Sequence, residues 1–353
     1  MKISSSLYFL YLKYDLNLMK LTILSQDNAV KERPFSRVAQ IVTKLIFMGH
    51  DVKYVYGLNK FNFFHKLNEI KNDHILVSIG FKPGIFTSIT KKILKNNIVI
   101  HDWIDLYAEI QTTKGLKERI LFPFLQKIEE WIIKSSDYII TNSIYNRIKA
   151  EIMGKSPIYI PNGIDKKIFD LKKKNFIKKK YDKPIVLYIG GLAKFKNIEP
   201  LIRSVKNLDC YLMLVGNGER EKLKNIASKN IIFIGRVPRE RVPYYIKIAD
   251  ICCSPVDWDA NLKVYEYMYM GKAVLSIKGR PELLLKDGYN ALIVDPTERG
   301  LSDGIRLLLE NTDLKKRMEK NAKKFKVYDW NDVVKMYIKN LEKIYDESNI
   351  RIQ

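Results

Sequence analysis

The sequence predicts an α/β protein made of two doubly wound, Rossmann-like parallel-sheet domains facing each other across a cleft. Three observations support this. From Lys20 onward, short runs of Ile, Val and Leu alternate with helix-length amphipathic segments, as expected of strands covered on both faces by crossover helices. The alternation stops once, at residues 171–183, where seven lysines accompany a single aspartate, and then restarts. The chain has 353 residues, enough for about two domains of ordinary size.

The first unit spans residues 19–170. Strands are expected at 21–25, 52–56, 74–79, 98–101, 138–141 and 157–160, with a helix over 35–48 that ends at Gly49. Residues 171–183 would repel one another in a packed core and read as a linker or exposed helix. The second unit, 184–328, repeats the alternation with strands at 185–189, 210–215, 231–234, 250–254, 273–277 and 291–294. An amphipathic tail over 329–353 is long enough to cross back onto the first unit. Two such units place a ligand in the crevice outside the carboxyl ends of their strands.

Residues 1–18 stand apart. Their apolar stretch is interrupted by three serines, Lys13 and Asp15, so it does not span a membrane. Lys2 and a short apolar run leave a signal peptide open in principle, but no small-residue cleavage site follows. Met19 begins a segment that runs straight into a strand, so 1–18 reads as a tail or an upstream-start extension.

Lys plus Arg number 62 against 39 Asp plus Glu, a formal charge of +23. Such an excess favours phosphate-bearing ligands, nucleic acid or an anionic membrane surface. It is spread over both units and the stretch between them, and no basic face interleaved with aromatics points to nucleic acid. The three cysteines, Cys210, Cys252 and Cys253, lie in apolar runs without metal-ligand spacing, which fits a reducing cytoplasm.

Three glycine loops follow strands of the second unit: Gly190-Gly191, Gly216-Asn217-Gly218 and Gly279. Each alone reads as a tight turn; together on one sheet edge they suit backbone approach to a phosphate. Lys196, a few residues beyond the first loop, is a counter-charge for it. The segment 250–276 carries a strand, a polar loop and a helix with Glu266 in its first turns. A carboxylate there stabilises a helix N-terminus, and it can also accept hydrogen bonds from adjacent sugar hydroxyls.

Taken in order, Pro161-Asn162-Gly163-Ile164-Asp165, Gly190 with Lys196, Val215-Gly216-Asn217-Gly218, Phe233-Ile234-Gly235, Ser254-Pro255, Glu266-Tyr267-Met268 with Gly271, and Pro281-Glu282 resemble the retaining family 4 glycosyltransferases of GT-B fold. The resemblance is densest over 159–296 and reaches the first unit through Gly49-His50-Asp51-Val52 and the strand before Asn142-Ser143. It implies that Glu266 holds the ribose hydroxyls of a nucleotide sugar and that Lys196 contacts its diphosphate beside Gly190. It further implies that Gly216 and Gly218 border the nucleotide, that Arg236 lies near the base, and that the loop from Gly279 to Glu282 borders the donor. No metal or other cofactor is implied.

The chain departs from the family pattern at informative places. Gly191 stands where the family carries an arginine, leaving Lys263 or Arg280 to substitute. Trp258 stands eight residues before Glu266 in place of the first glutamate, flanked by Asp257 and Asp259. Asp257-Trp258-Asp259 also matches the metal-binding Asp-x-Asp of the other large glycosyltransferase fold, whose single domain does not suit this chain. In the first unit His101 and Asp102, at a strand end, are candidates for acceptor positioning or proton handling, with Asp105 in competition. The resemblance implies that the departing phosphate itself assists deprotonation.

Residues 114–134 mix basic side chains with Leu, Ile, Phe and Trp, which suits either an anionic membrane interface or packing within the first unit. The expected function is therefore retaining transfer of a sugar from a nucleotide-sugar donor to a saccharide or lipid-linked acceptor, in the cytoplasm or at the inner face of its membrane. The competing readings are a polyanion-binding protein, a nucleotide-sugar epimerase and a non-catalytic GT-B protein.

Overall fold

A computed structural model of the chain describes residues 19–59, 62–94, 96–112, 115–170 and 181–352. The 1–18 extension and most of the basic linker, 171–180, lie outside these residues.

The first domain is a six-stranded, all-parallel sheet of β1 (Lys20–Leu24), β2 (Asp51–Val55), β3 (Ile75–Ile79), β4 (Ile98–Trp103), β5 (Tyr138–Thr141) and β6 (Ile158–Tyr159), in the order β2-β1-β3-β4-β5-β6. Its helices include α1 (Arg37–Phe47), α2 (Phe81–Leu94), α3 (Tyr107–Thr112), α4 (Leu116–Ser135) and α5 (Ile144–Ile152). Ser36 caps α1, its side chain accepting from the Ala39 amide at 3.3 Å, and the chain leaves the helix at Gly49 with a left-handed φ of 93°.

The second domain is also six-stranded and all-parallel. It comprises β8 (Ile185–Ile189), β9 (Tyr211–Val215), β10 (Ile231–Gly235), β11 (Ile251–Ser254), β12 (Val274–Ile277) and β13 (Ala291–Val294), ordered β10-β9-β8-β11-β12-β13. The strand order reverses between β8 and β11, and in open parallel sheets that switch point is where ligands sit, outside the carboxyl ends. Helix α6 (Leu262–Tyr269) follows β11 and is buried from Lys263 to Met268. This explains its run of Val264, Tyr265, Tyr267 and Met268: no face is left to water.

The chain crosses back as it leaves the second domain. β7 (Gly163–Ile164) pairs with β14 (Tyr328–Asp329), and a Cβ at Gly163 would lie 3.0 Å from the Trp330 backbone, so glycine is needed there for the close approach. Helix α7 (Trp330–Ile352) then buries Val333, Tyr337 and Leu341 in the first domain's core with Ile23, Val38 and Ile41. At about 25 cal/mol per Å² of apolar area, a few such side chains contribute several kcal/mol to holding the two domains as one body.

Candidate active site

The two domains meet across a cleft with an open volume of about 170 Å³, lined by Asp105, Glu109 and Ile110 of the first domain and by Lys196, Asp257 and Arg280 of the second. Its second-domain wall is the β8/β11 switch point. The β8 loop turns at Gly190 (φ 140°) and the β9 loop at Gly216 (φ 146°) and Gly218 (φ 150°). These loops pack on each other: a Cβ at Gly216 would lie 1.9 Å from the Gly190 carbonyl oxygen, and one at Gly218 would lie 2.5 Å from that of Leu192. Backbone approach between strand ends therefore requires these glycines whether or not a phosphate is near. Gly191 differs, being exposed with nothing within 4 Å of a Cβ built on it.

Lys263, one residue inside α6, projects under the β8 loop. Its Nζ lies 3.2 Å from where a Gly190 Cβ would stand and 4.2 Å from the centre of the Tyr188 ring. Lys196 approaches from the short 3-10 turn Lys194–Lys196, its Nζ 4.5 Å from the Phe195 ring centre. Burial pushes the pKa of Lys263 well below the ordinary lysine value, repulsion from Lys196 adds to this, and Glu266 opposes it. Burial lowers Lys196 as well, against the attraction of Asp105 across the cleft. Two desolvated cations at one switch point can neutralise a diphosphate, which would in turn restore their full charge.

Glu266 is buried one helical turn beyond Lys263. Its Oε1 accepts from Arg239, on the 3-10 turn Arg239–Arg241, and the Arg239 guanidinium stacks over the rings of Phe169 (5.2 Å) and Phe35 (6.0 Å). Arg239 was not singled out from the sequence; nothing at 27 residues' separation signals the pair. Arg236 is exposed, its amide donating to Asn217 Oδ1 at 3.1 Å beside the Gly216 turn. Glu282 is likewise exposed and folds back on its own loop, accepting from the Gly279 amide at 2.6 Å.

Of the two cations expected to replace the family's arginine, the structure brings only Lys263 beside Gly190. Arg280 is engaged across the cleft, donating to Glu109 and lying over the Tyr145 ring at 4.3 Å. Asp257-Trp258-Asp259 does not form a convergent carboxylate pair. Asp257 Oδ1 accepts from the Arg280 amide at 2.8 Å and holds the Gly279–Arg280 turn. Asp259 reaches the first domain instead. It accepts from Ser143 Oγ (2.6 Å) and from the amides of Ile144 (2.5 Å) and Tyr145 (3.2 Å) at the start of α5, and Trp258 packs between them against Trp103 and Leu106.

On the first-domain side, the period-2 geometry of β4 sends His101 and Asp102 to opposite faces, both buried. His101 Nδ1 lies 3.0 Å from Ser78 Oγ beneath Gly84 of α2, and burial lowers its pKa to about 4, so the ring is neutral. Asp102 points into the core, where Arg37 donates to it at 3.0 Å and also to the Pro161 carbonyl at 3.2 Å. Asp105, two residues past the strand, lines the cleft with Glu109, accessible to solvent yet surrounded by protein. Desolvation raises its pKa, and Lys196 and Arg33 counter that. Behind it, the buried Glu129 accepts from the Tyr107 amide at 2.7 Å, and burial lifts its pKa to about 7.

Residues 170–325 match the family model of glycosyl transferases group 1. The match covers the second domain. The chain is 26% identical over 327 residues to an uncharacterized glycosyltransferase of Methanocaldococcus jannaschii, covering 85% of this chain and 82% of that one. It is 26% identical over 156 residues to the alpha-D-kanosaminyltransferase of Streptomyces kanamyceticus, 40% of each chain. The fold is that of GT-B proteins. A sucrose-phosphate synthase from Thermosynechococcus elongatus superposes with a TM-score of 0.77 at 15% identity, over 93% of this chain and 100% of that one. The Anabaena protein HepE in complex with UDP superposes with a TM-score of 0.69 at 14% identity, over 92% and 100%. Within the matched residues, the β8 loop, Lys196 and α6 stand at the switch point of a GT-B fold.

Proposed function

We propose that the protein is a retaining glycosyltransferase. The second domain holds a nucleotide-sugar donor, and its sugar passes to a saccharide or lipid-linked acceptor held mainly by the first domain, in cell-surface glycan or glycolipid assembly. The observation that carries this reading is the meeting of Lys263, Lys196 and Glu266 at the β8/β11 switch point. Solved HepE structures holding UDP and UDP-glucose support a nucleotide-bearing donor.

In this reading, the donor diphosphate lies against the β8 loop, where Lys263 and Lys196 bind its charge. As the glycosidic bond breaks, negative charge grows on the departing phosphate, and preorganised cations in a desolvated site stabilise that state more than the ground state. The lysines fill the role of a divalent ion, so transfer proceeds without added metal. Glu266 accepts the ribose hydroxyls, with Arg239 fixing its carboxylate. The departing phosphate takes the acceptor proton on the face it leaves, which retains the anomeric configuration, and Asp105 orients the acceptor hydroxyl. The three free, buried cysteines agree with work in the cytoplasm.

The test is turnover with a panel of nucleotide sugars and simple acceptors in the presence of EDTA, with proton NMR of the first-formed product. Transfer with an unchanged anomeric configuration is expected. An inverted product would overturn the retaining assignment, and binding without transfer to any acceptor would favour a non-catalytic protein.

A further inference from the structure

Helix α4 is apolar where it faces water. Its second half packs normally, burying Glu129, Ile132 and Ile133. Its first half does not: Leu116 is 75% exposed, Ile120 71% and Phe124 62%. The spacing of four places these three side chains on one stripe, and Lys117, Arg119 and Lys127 stand exposed around it. Of the acidic groups of the helix, Glu129 is buried and accepts from the first amide of α3, while Glu118 and Glu130 are half-buried. Of the two sequence readings of 114–134, packing within the domain holds for the second half of the helix and leaves the stripe of the first half open to water.

We propose that this stripe is a docking surface for an anionic lipid bilayer. An apolar stripe flanked by cations inserts at the headgroup boundary while the cations meet anionic lipid. Charge complementarity selects this occupant over a second copy of the chain, which is itself strongly basic at +23 and would bring like charge against like. The location gives the contact a use. Helix α3, whose Glu109 and Ile110 line the cleft, lies immediately before α4, so a bilayer against Leu116, Ile120 and Phe124 borders the acceptor side of the cleft. An acceptor anchored in lipid would reach Asp105 without leaving the surface. That last step rests on the transferase reading; the docking itself does not.

The experiment is flotation of the full chain with phosphatidylcholine vesicles, with and without phosphatidylglycerol, at low and high salt. Wild-type protein is expected to float only with the anionic vesicles and to be released by salt. The double variant Ile120→Glu/Phe124→Glu is expected to lose partition more than tenfold. The double variant Lys117→Glu/Lys127→Glu is expected to lose it to a similar extent, at roughly fivefold for each cation removed. Both pairs are exposed, so melting temperature and nucleoside diphosphate binding should stay at wild-type values, separating loss of docking from loss of the donor site. Absence of flotation with anionic vesicles at low salt would overturn the proposal. So would flotation of both variants at the wild-type level, or a wild-type dimer in light scattering that the Glu variants dissociate.

Discussion

Asp259 of the second domain accepts a hydrogen bond from Ser143 of the first at 2.6 Å, and the same carboxylate takes the Ile144 and Tyr145 amides at the start of α5. One side chain thus serves as the N-terminal cap of a helix in the other domain. Replacing it by alanine strands a buried hydroxyl and helix-end amides together. Asp259→Ala is expected to cost about 2–4 kcal/mol of stability, read as a lower urea midpoint, whereas Asp257→Ala, which frees only an exposed turn, should cost under about 1 kcal/mol. Equal costs would remove the interdomain cap from the account.

Lys263 ties the site to pH. Its folded-state pKa is depressed, so between that value and the ordinary lysine value the unfolded chain binds more protons and stability rises with pH across the window. A bound diphosphate reverses the depression. Binding should therefore take up protons and weaken as pH rises through the window. Calorimetry in buffers of different ionisation enthalpy measures that uptake directly. In Lys263→Met the uptake should fall and the apo protein should be at least as stable as wild type, because a buried cation is removed.

The glycines separate cleanly into two kinds. Gly191 has open space around it and ordinary backbone, so Gly191→Arg should fold as wild type and bind nucleoside diphosphate about tenfold more tightly, as one charge-assisted contact allows. Gly216 has the Gly190 carbonyl 1.9 Å from any Cβ and φ at 146°, so Gly216→Ala should destabilise the domain by about 2 kcal/mol or more. The comparison is made by melting curves alongside a titration.

Asp102 and Asp105 should part company in the same way. Asp102→Ala leaves Arg37 buried without its carboxylate and should cost about 3–5 kcal/mol. Asp105→Asn, in the open cleft, should leave the melting temperature unchanged and lower kcat/KM for the acceptor by about ten- to a hundredfold. A variant Asp105→Asn with full activity would remove it from the acceptor site.

What the sequence discloses and what it hides follow from distance along the chain. Strand runs such as 138–141 in the first sheet and 185–189 in the second are local patterns, and the folded chain has a strand at each. Gly190, Lys196 and Glu266 stand out as candidates in the sequence because loop, turn and helix follow one another in order. The pairs Glu266–Arg239 and Asp259–Ser143 join residues 27 and 116 apart, and only the folded chain brings them together. His101 and Asp102 carried a signal that could have been used: on a strand with both faces covered, neighbouring residues bury on opposite sides, which points to Asp105 beyond the strand end as the group left for the cleft. The exposed stripe of α4 was ambiguous because an apolar face is equally suited to a core or a bilayer, and only its exposure distinguishes them.

The proposed nucleotide-sugar site joins Lys196, Lys263 and Glu266. Its most direct test is titration calorimetry of nucleoside diphosphates and nucleotide sugars with wild type, Lys196→Ala and Glu266→Gln. The predicted result is micromolar to millimolar binding of at least one ligand by wild type, weakened about tenfold or more in each variant, with Lys196→Ala folded as wild type and Glu266→Gln less stable because Arg239 loses its carboxylate. Binding by both variants at wild-type affinity, or no binding of any such ligand by the wild-type protein, would contradict it.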